Sequence, residues 1–270
     1  MGTAKRERQK AGRQSRREEA AVAVKKQKTR KQLRSYAILA GVIVVVALFF
    51  VLRGGGDDSS TTATTGATGA SGAATTTTVV ASFGTTPCPP TDGSGERKIS
   101  FPDSFQKCID PAKTYTATIT TNKGPLVVDL DAKAAPITVN NFVSLARSKF
   151  YDATPCHRII PSFVAQCGDP QGTGTGGPGY KFADELPAAG AYKIGSLAMA
   201  NSGPNTNGSQ FFIITGDKGV ALPPSYSLFG QARDGQNAVL TALDAAGNPE
   251  NNGVPPKEPV GIVSVTITES

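Results

Sequence analysis

The sequence has few of the residues that most often carry covalent or metal-assisted catalysis. It contains one histidine, four cysteines and no tryptophan among 270 residues. No two cysteines are spaced as CxxC and His157 is the only imidazole, so we expect no metal site. His157 has no serine or cysteine neighbour in a nucleophile motif, and we interpret it as a structural histidine. The sequence therefore suggests no hydrolytic machinery and predicts no cofactor.

Most of the chain lacks a net positive charge, although the net charge of the whole sequence is +7. Residues 1–34 carry 13 Lys and Arg against 3 Asp and Glu, whereas residues 53–270 carry 15 against 18. The C-terminal part is therefore mildly acidic and has no basic face that could release counterions from phosphates. We expect no nucleic-acid partner, and we interpret residues 1–34 as a basic cytoplasmic segment.

Residues 35–52 (SYAILAGVIVVVALFFVL) contain no charged side chain. As a helix they would span roughly 27 Å, close to the bilayer core of about 30 Å. A buried core helix is rarely apolar on every face, and a cleaved signal peptide normally has a shorter apolar region. We interpret the segment as a single transmembrane signal anchor. The basic excess before it predicts a cytoplasmic N-terminus and a C-terminal domain outside the cytoplasm at the cell membrane.

Residues 53–87 are rich in Gly, Ser, Thr and Ala and have almost nothing to bury, which is typical of a disordered, flexible linker. The next segment, residues 88–113, begins with CPPTDGSGERKISFPDSFQKC and has no obvious core of its own. A disulfide between Cys88 and Cys108 would staple it, as is common outside the cytoplasm.

A second disulfide is predicted between Cys156 and Cys167. These cysteines flank two β-rich runs that are joined at Pro161-Ser162. A two-residue turn there would place Ile160 opposite Phe163 and, further along the hairpin, Cys156 opposite Cys167. The alternative is a pair of buried free thiols.

Residues 114–270 have the pattern of a globular, mainly β domain. Asn122-Lys123-Gly124 predicts a hairpin, and Pro136 opens an apolar pattern with helical spacing. Asp234 is the expected N-cap of a second helix. The predicted strands cover Tyr115–Thr121, Leu126–Leu130, the hairpin around Pro161, Gly195–Ala200, Phe211–Thr215, Leu228–Ala232 and a closing strand from Val260 with one slip in its alternation. Short strands with two helices predict a closed antiparallel barrel or a sandwich.

Two runs identify the family that this region resembles. HRIIPSFVAQCG (His157–Gly168) and MANSGPNTNGSQFF (Met199–Phe212), with a Gly-rich stretch between them, closely resemble the cyclophilin signature. The similarity extends from Thr114 to Thr268. It implies a closed eight-stranded antiparallel β-barrel capped by two α-helices. It also implies peptidyl-prolyl cis-trans isomerase activity on proline-containing polypeptides, and we expect a monomer.

The resemblance also assigns roles to individual residues. Arg158 would donate to the amide nitrogen as the X-Pro bond twists, Gln166 would hydrogen-bond Arg158 and substrate, and the Asn201 backbone would hold the residue before proline. Phe212 would form the proline socket with its neighbours, and Ala200 and Gln210 would shape the adjoining surface. The other socket residues implied are Phe163, Val164, Leu222 and Tyr226.

The sequence departs from the family pattern at three of these places. Val164 stands where the family often has methionine, Ala221 precedes Leu222 where many members have tryptophan, and Tyr226 stands where they have histidine. A non-catalytic adaptor and a general holdase chaperone are the competing interpretations. The presence of Arg158, Phe163, Gln166 and Phe212 argues against the adaptor, and the sequence shows no separate apolar surface for a holdase.

Overall fold

The computed structural model describes residues 82–270, and these form one curled, mainly β body with helices packed against it. The predicted cytoplasmic segment, the predicted anchor and residues 53–81 of the predicted linker lie outside the described residues. Among the helices of residues 82–270, none is long and apolar enough to cross a bilayer.

A single sheet of nine antiparallel strands forms the body, in the order β3-β9-β1-β2-β8-β6-β7-β5-β4. The strands are β1 Tyr115–Thr121, β2 Gly124–Leu130, β3 Thr154–Pro155, β4 Arg158–Ile160, β5 Val164–Cys167, β6 Ser196–Met199, β7 Phe211–Ile214, β8 Leu228–Ala232 and β9 Gly261–Glu269. The helices are α1 Pro136–Arg147, α2 Asp217–Val220 and α3 Asn237–Ala245, followed by a 3-10 turn at Asn251–Gly253.

The structure has nine strands where the resemblance implies eight. One run of chain is divided into β3, which pairs with β9, and β4, which pairs with β5. Only Cys156 and His157 separate them, and the Cys156 N–H donates to the Val260 carbonyl at 2.9 Å. The two edge strands of the sheet are therefore consecutive pieces of the chain, and the sheet curls around to bring its edges to this place.

The β1–β2 hairpin has the predicted turn. Thr121 pairs with Gly124 across Asn122 and Lys123, and Gly124 has a φ of 118°, which favours glycine. The predicted slip in the closing strand is a bulge in the β1–β9 pairing, where Thr120 faces Ser264 and Thr121 faces Ile262.

The predicted register of the second hairpin is wrong by one residue. Ile160 pairs with Val164, not with Phe163, because the turn contains three residues and its middle residue, Ser162, has a φ of 59°. The Cys156–Cys167 disulfide is nevertheless present, since Cys156 precedes β4 and is not held in the ladder of that strand.

Helix α1 begins at Pro136 as predicted, whereas the N-cap predicted for the second helix is wrong. Helix α3 has Gln236 as its N-cap, and Asp234 lies two residues earlier. Gly235, with a φ of 83°, turns the chain between them. The short helix α2 was not predicted.

The segment from Cys88 to Pro111 packs on the sheet instead of hanging free, and the disulfide Cys88–Cys108 is present. Phe101, Phe105 and Ile109 are buried in the main core. The packed segment also begins earlier than the predicted linker boundary at Pro87. The N–H of Thr86 donates to the Ser104 carbonyl at 3.0 Å, so backbone pairing orders the end of the predicted linker.

Helix α1 receives its N-terminal cap from a distant residue. Its N-cap position, Ala135, offers no side-chain acceptor. The Glu185 carboxylate accepts instead from the N–H groups of Ile137 and Thr138, at 3.0 and 2.7 Å. A negative group at this end also interacts favourably with the helix dipole.

Replacing Glu185 with alanine should therefore destabilise the fold by about 1–2 kcal/mol, the usual cost of losing an N-cap. Denaturant unfolding measures the change, and Glu185→Gln, which keeps an oxygen acceptor but loses the charge, should lie between the alanine variant and the wild type. Equal stability of Glu185→Ala and the unsubstituted chain would contradict this capping role.

Candidate active site

Strands β5 and β7 are buried on both faces of the sheet. Along β7, Phe211 and Ile213 belong to the main core, whereas Phe212 and Ile214 belong to a second apolar cluster. Successive side chains of a strand point to opposite faces, so this second cluster lies on the outside of the curled sheet. We call it the outer cluster.

The outer cluster contains all the apolar socket residues that the sequence predicts. Phe212 is 5% exposed, and its ring meets that of Tyr226 edge to face, with the centroids 5.3 Å apart. The buried members of the cluster are Val164, Tyr192, Ala198, Phe212 and Ile214, with half-buried Phe163, Ala200, Val220, Leu222, Tyr226 and Leu228 around them.

Strand pairing sets the predicted polar residues in a row beside this cluster. Arg158 on β4 pairs with Gln166 on β5, and Gln166 pairs with Phe212 on β7. Directly paired residues on neighbouring strands project from the same face of a sheet. The guanidinium of Arg158 thus reaches the edge of the outer cluster, with its central carbon 5.9 Å from the centre of the Phe163 ring.

Two residues hold the Arg158 guanidinium. Its Nη1 donates to Oε1 of Gln166 at 3.1 Å. Its Nε donates to the main-chain carbonyl of Asn252 at 3.1 Å, and its Nη2 donates to the Asn252 side-chain oxygen at 3.0 Å. Partial burial lowers the pKa of Arg158 below its ordinary value, but an arginine stays charged at neutral pH. The site therefore contains a fixed, partly desolvated cation.

A chain of hydrogen bonds extends from Gln166 into the Gly-rich loop, residues 168–179. Gln166 donates to the side-chain oxygen of Gln210 at 2.9 Å, and Gln210 donates to the carbonyls of Gly174 and Gly176. The buried Asp169 carboxylate accepts from the N–H groups of the same two glycines. Burial alone would raise the pKa of Asp169, but the N–H groups of Gln171, Gly176 and Gly174 and the Thr173 hydroxyl hold it below its ordinary value.

A polar cleft of about 650 Å³ adjoins this row. Gln166, Ala200, Asn201 and Gln210 line one side, and the Gly-rich loop continues through Tyr180 on the other. The side chain of Asn201 bonds to the Ser225 carbonyl at 2.9 Å. Within residues 82–270 its main-chain N–H and C=O make no hydrogen bond, so both can pair with another chain.

The structure brings together every predicted site residue and adds three that the sequence analysis missed. They are Asn252, Asp169 and Tyr192, whose hydroxyl donates to the Tyr226 carbonyl at 2.7 Å and accepts from the Tyr226 N–H. The Asn-Asn-Gly run signals a turn with positive φ, and Asn252 has a φ of 56°, but nothing in the sequence points that turn towards Arg158.

Comparison with known proteins identifies the family of this domain. The family model described as cyclophilin type peptidyl-prolyl cis-trans isomerase/CLD matches residues 116–267. The chain belongs to the cyclophilin family.

Curated relatives agree with this assignment. "Probable peptidyl-prolyl cis-trans isomerase B" of Mycobacterium tuberculosis is 42% identical over 172 residues, which cover 58% of this chain and 54% of that protein. "Peptidyl-prolyl cis-trans isomerase A" of the same species is 43% identical over 175 residues, covering 58% of this chain and 94% of the relative. The chain thus spans little more than half the length of the first curated relatives it matches.

A solved structure supports the fold. The crystal structure of a Cryptosporidium parvum cyclophilin type peptidyl-prolyl cis-trans isomerase matches with a TM-score of 0.52 and 34% identity. The match covers 58% of this chain and 99% of that protein. Another structure of that protein was determined in the presence of the dipeptide Ala-Pro.

His157 lies beneath the Gly-rich loop of the cyclophilin domain, 7% exposed. Its Nδ1 is buried and makes no hydrogen bond in residues 82–270. Burial lowers the pKa of His157 below its ordinary 6.5; the Asp169 carboxylate opposes this shift and Arg158 adds to it. Among the described residues, no group of three His, Cys, Asp or Glu could hold a metal ion.

Because His157 is the only histidine, its titration can be followed by NMR without overlap. We expect a pKa below 6.5 in the folded protein. The unfolded chain then binds the proton first, so the free energy of unfolding should fall as the pH drops below about 6.5 and level off below the folded pKa. A His157→Gln variant should lose this part of the pH dependence. A folded pKa at or above 6.5 would contradict the assignment of His157 as a buried neutral group.

Proposed function

We propose that this protein is a peptidyl-prolyl cis-trans isomerase that acts on exported, proline-containing polypeptides. The observation that carries the proposal is the Arg158 guanidinium, held from two sides by Gln166 and Asn252 at the edge of an apolar socket built on Phe212. The names of the relatives and the Ala-Pro structure of a family member support the same activity.

The reaction needs positioning and charge, and no bond in the substrate is broken. Amide resonance gives a rotation barrier of about 18–20 kcal/mol, and X-Pro bonds isomerise over tens of seconds or more. An enzyme lowers this barrier if it binds the twisted amide more tightly than either planar form. The proline ring must be held while the preceding carbonyl rotates.

Arg158 supplies the interaction that grows during the twist. As resonance is lost, the proline nitrogen gains a lone pair, and a nearby guanidinium N–H can donate to it. The Asn252 and Gln166 contacts use three of the five N–H donors, so donors remain for the substrate. Because the fork is already oriented, little reorganisation is needed when the amide twists.

The outer cluster holds the proline ring, and the cleft holds the chain before it. Phe212, Val164 and Leu222 offer an apolar wall of the kind that a proline ring fills. The free main-chain groups of Asn201 can pair with the residue before proline, since Asn201 lies between the socket and the cleft. Residues further from the proline would then occupy the polar cleft.

A non-catalytic adaptor would need the socket but not the held guanidinium. The two-sided hold on Arg158 therefore favours the isomerase, because a binding module has no use for a donor aimed at a twisted amide. A general chaperone is also disfavoured, because it would need a broader apolar surface than the outer cluster.

We also propose that the curled sheet acts as a closed eight-stranded barrel, in which β3 and β4 form one bent strand. The pairing of β3 with β9 and of β4 with β5 supports this, as does the disulfide that joins Cys156 in the bend to Cys167 on β5. Arg158 is the first residue after the bend, so closure of the barrel would fix the position of its Cα atom.

Arg158→Ala should reduce isomerase activity at least a hundredfold, or roughly 2.7 kcal/mol, the scale of losing one preorganised donor. Affinity for a proline peptide should change much less than turnover, because the interaction strengthens only in the transition state. Arg158→Lys should also be poor, since a point charge lacks the planar fork. Phe212→Ala should weaken binding and turnover together. A protease-coupled proline-peptide assay on the full-length chain measures the isomerase activity of the wild type and of the three variants.

Arg233→Ala is the matched control. It removes another hydrogen-bonded arginine, which binds Asp129 and Thr116 rather than a site residue. Its activity should equal that of the wild type. A folded Arg158→Ala variant with near-normal activity would leave the adaptor as the better interpretation.

We further propose that residues 35–52 anchor the chain in the cell membrane, with the cyclophilin domain outside the cytoplasm as a monomer. The position of the basic segment supports this orientation. The pairing of all four cysteines in disulfides also fits an oxidising compartment.

Protease added to intact cells or protoplasts should therefore remove the cyclophilin domain while a cytoplasmic marker survives. The domain should be detected with an antibody against its C-terminus, and detergent lysis provides the positive control. Protection of the domain in intact cells that is lost on lysis would show that the orientation is wrong.

A further inference from the structure

The N-terminal extension, residues 82–113, lies outside the matched family region but contacts the cleft. The Phe101 N–H donates to the Pro178 carbonyl at 2.8 Å, and the Phe105 ring meets the Tyr180 ring edge to face at 6.4 Å. Residues 178–180 line the cleft, and we call them the cleft wall. The extension therefore packs behind one side of the candidate substrate site.

The packing of backbone against backbone is close. A Cβ atom at position 179 would lie 2.6 Å from the Phe101 carbonyl oxygen. Gly179 also has a φ of 102°, a conformation that side chains other than glycine rarely adopt. The cleft wall thus has the conformation and the clearance that this contact with the extension requires.

Helix α1 ties the extension and the cleft to one rigid element through two consecutive residues. Asn140 accepts from the Cys108 N–H at 2.7 Å and donates to the Gln106 carbonyl at 3.0 Å. Asn141 accepts from the Tyr180 hydroxyl at 2.5 Å and donates to the Gly208 carbonyl at 2.9 Å. Tyr180 and Gly208 both line the cleft.

The Cys88–Cys108 disulfide closes the loop that carries Phe101 and Phe105. Such a bridge limits the conformations open to the loop when it is not packed. Cys88 is exposed, whereas Cys156 and Cys167 are 2% and 1% exposed. A mild reductant can therefore reach the first bridge more readily than the second.

We propose that the disulfide-closed extension positions one wall of the substrate site from behind. It fixes the cleft wall and so sets how the enzyme selects the residues that precede proline. The proposal rests on the isomerase function above. Arg158 is held by Gln166 and Asn252, and Phe212 lies on β7. None of these belongs to the cleft wall, so the chemistry at the proline should not depend on the extension.

The test compares two substrates of the full-length chain. One peptide has a single residue before proline, and the other has four, enough to enter the cleft. The kcat/KM value for the longer peptide, divided by the value for the shorter peptide, reports the contribution of the cleft. In Phe105→Ala we expect this ratio to fall about fivefold through a higher KM for the longer peptide, while kcat for the short peptide stays unchanged.

Ile109→Ala is the matched control, because Ile109 is another buried residue of the extension but follows the bridged loop. It should lower stability and leave the ratio unchanged. Phe105→Leu, which keeps most of the apolar volume, should restore part of the ratio. Thermal unfolding shows which variants are folded at the assay temperature.

A Cys88→Ser, Cys108→Ser double variant provides an independent test that leaves both aromatic side chains of the loop unsubstituted. Its ratio should fall, and mild reduction of the wild type should reproduce the fall. The same reductant should have no further effect on the double variant. A ratio that is unchanged in the double variant and falls only when reductant is added would trace the change to the Cys156–Cys167 bridge and overturn the proposal.

The outcomes separate the two proposals. A wild-type chain without activity on either peptide would refute the isomerase function itself. An active wild type whose ratio is the same in folded Phe105→Ala and in the double cysteine variant would refute only the role of the extension. If Phe105→Ala does not fold, the double cysteine variant decides.

Discussion

In β5 and β7, neighbouring residues point to opposite faces of the sheet, and both faces are buried. Ala165 and Phe211 pack into the main core, while Val164 and Phe212 build the outer cluster. A slip of one residue in either strand would exchange core residues with site residues. The register of these two short strands is therefore the constraint on which both the stability of the sheet and the geometry of the site depend.

Several features hold that register. The left-handed Ser162 sets the β4–β5 turn, and the Cys156–Cys167 disulfide joins the chain on both sides of that hairpin. The polar row then adds its own restraint, because Arg158 reaches Gln166 only when the two residues are paired. A partly buried hydrogen-bond network of this kind costs free energy if any member is unsatisfied, so it favours one arrangement over its neighbours.

The sequence predicted the local parts of this structure well. The β1–β2 hairpin, helix α1 and strand β8 follow from short-range patterns. The family motifs named Arg158, Gln166 and Phe212, which the strand pairing brings into one row. The motifs succeed because they record which residue types occur together, whatever brings them together in space.

The contacts that orient those residues could not be predicted in the same way. Arg158 and Asn252 are 94 positions apart, and Tyr192 and Tyr226 are 34 apart. Neither pair leaves a periodic signal, because each joins a loop to a strand or to another loop. The hairpin register failed for a related reason, since Pro161-Ser162 is compatible with turns of two or three residues.

The shortage of histidine and the absence of a nucleophile motif are consistent with the proposed reaction. Rotation about an amide moves no proton and forms no covalent intermediate, so a group that titrates near neutral pH would bring no advantage. The site instead needs a cation whose charge is constant, and arginine provides it even when burial lowers its pKa. His157 can then be buried, neutral and structural beneath the Gly-rich loop. The one titratable imidazole is thus kept out of a reaction that requires only shape and a fixed charge.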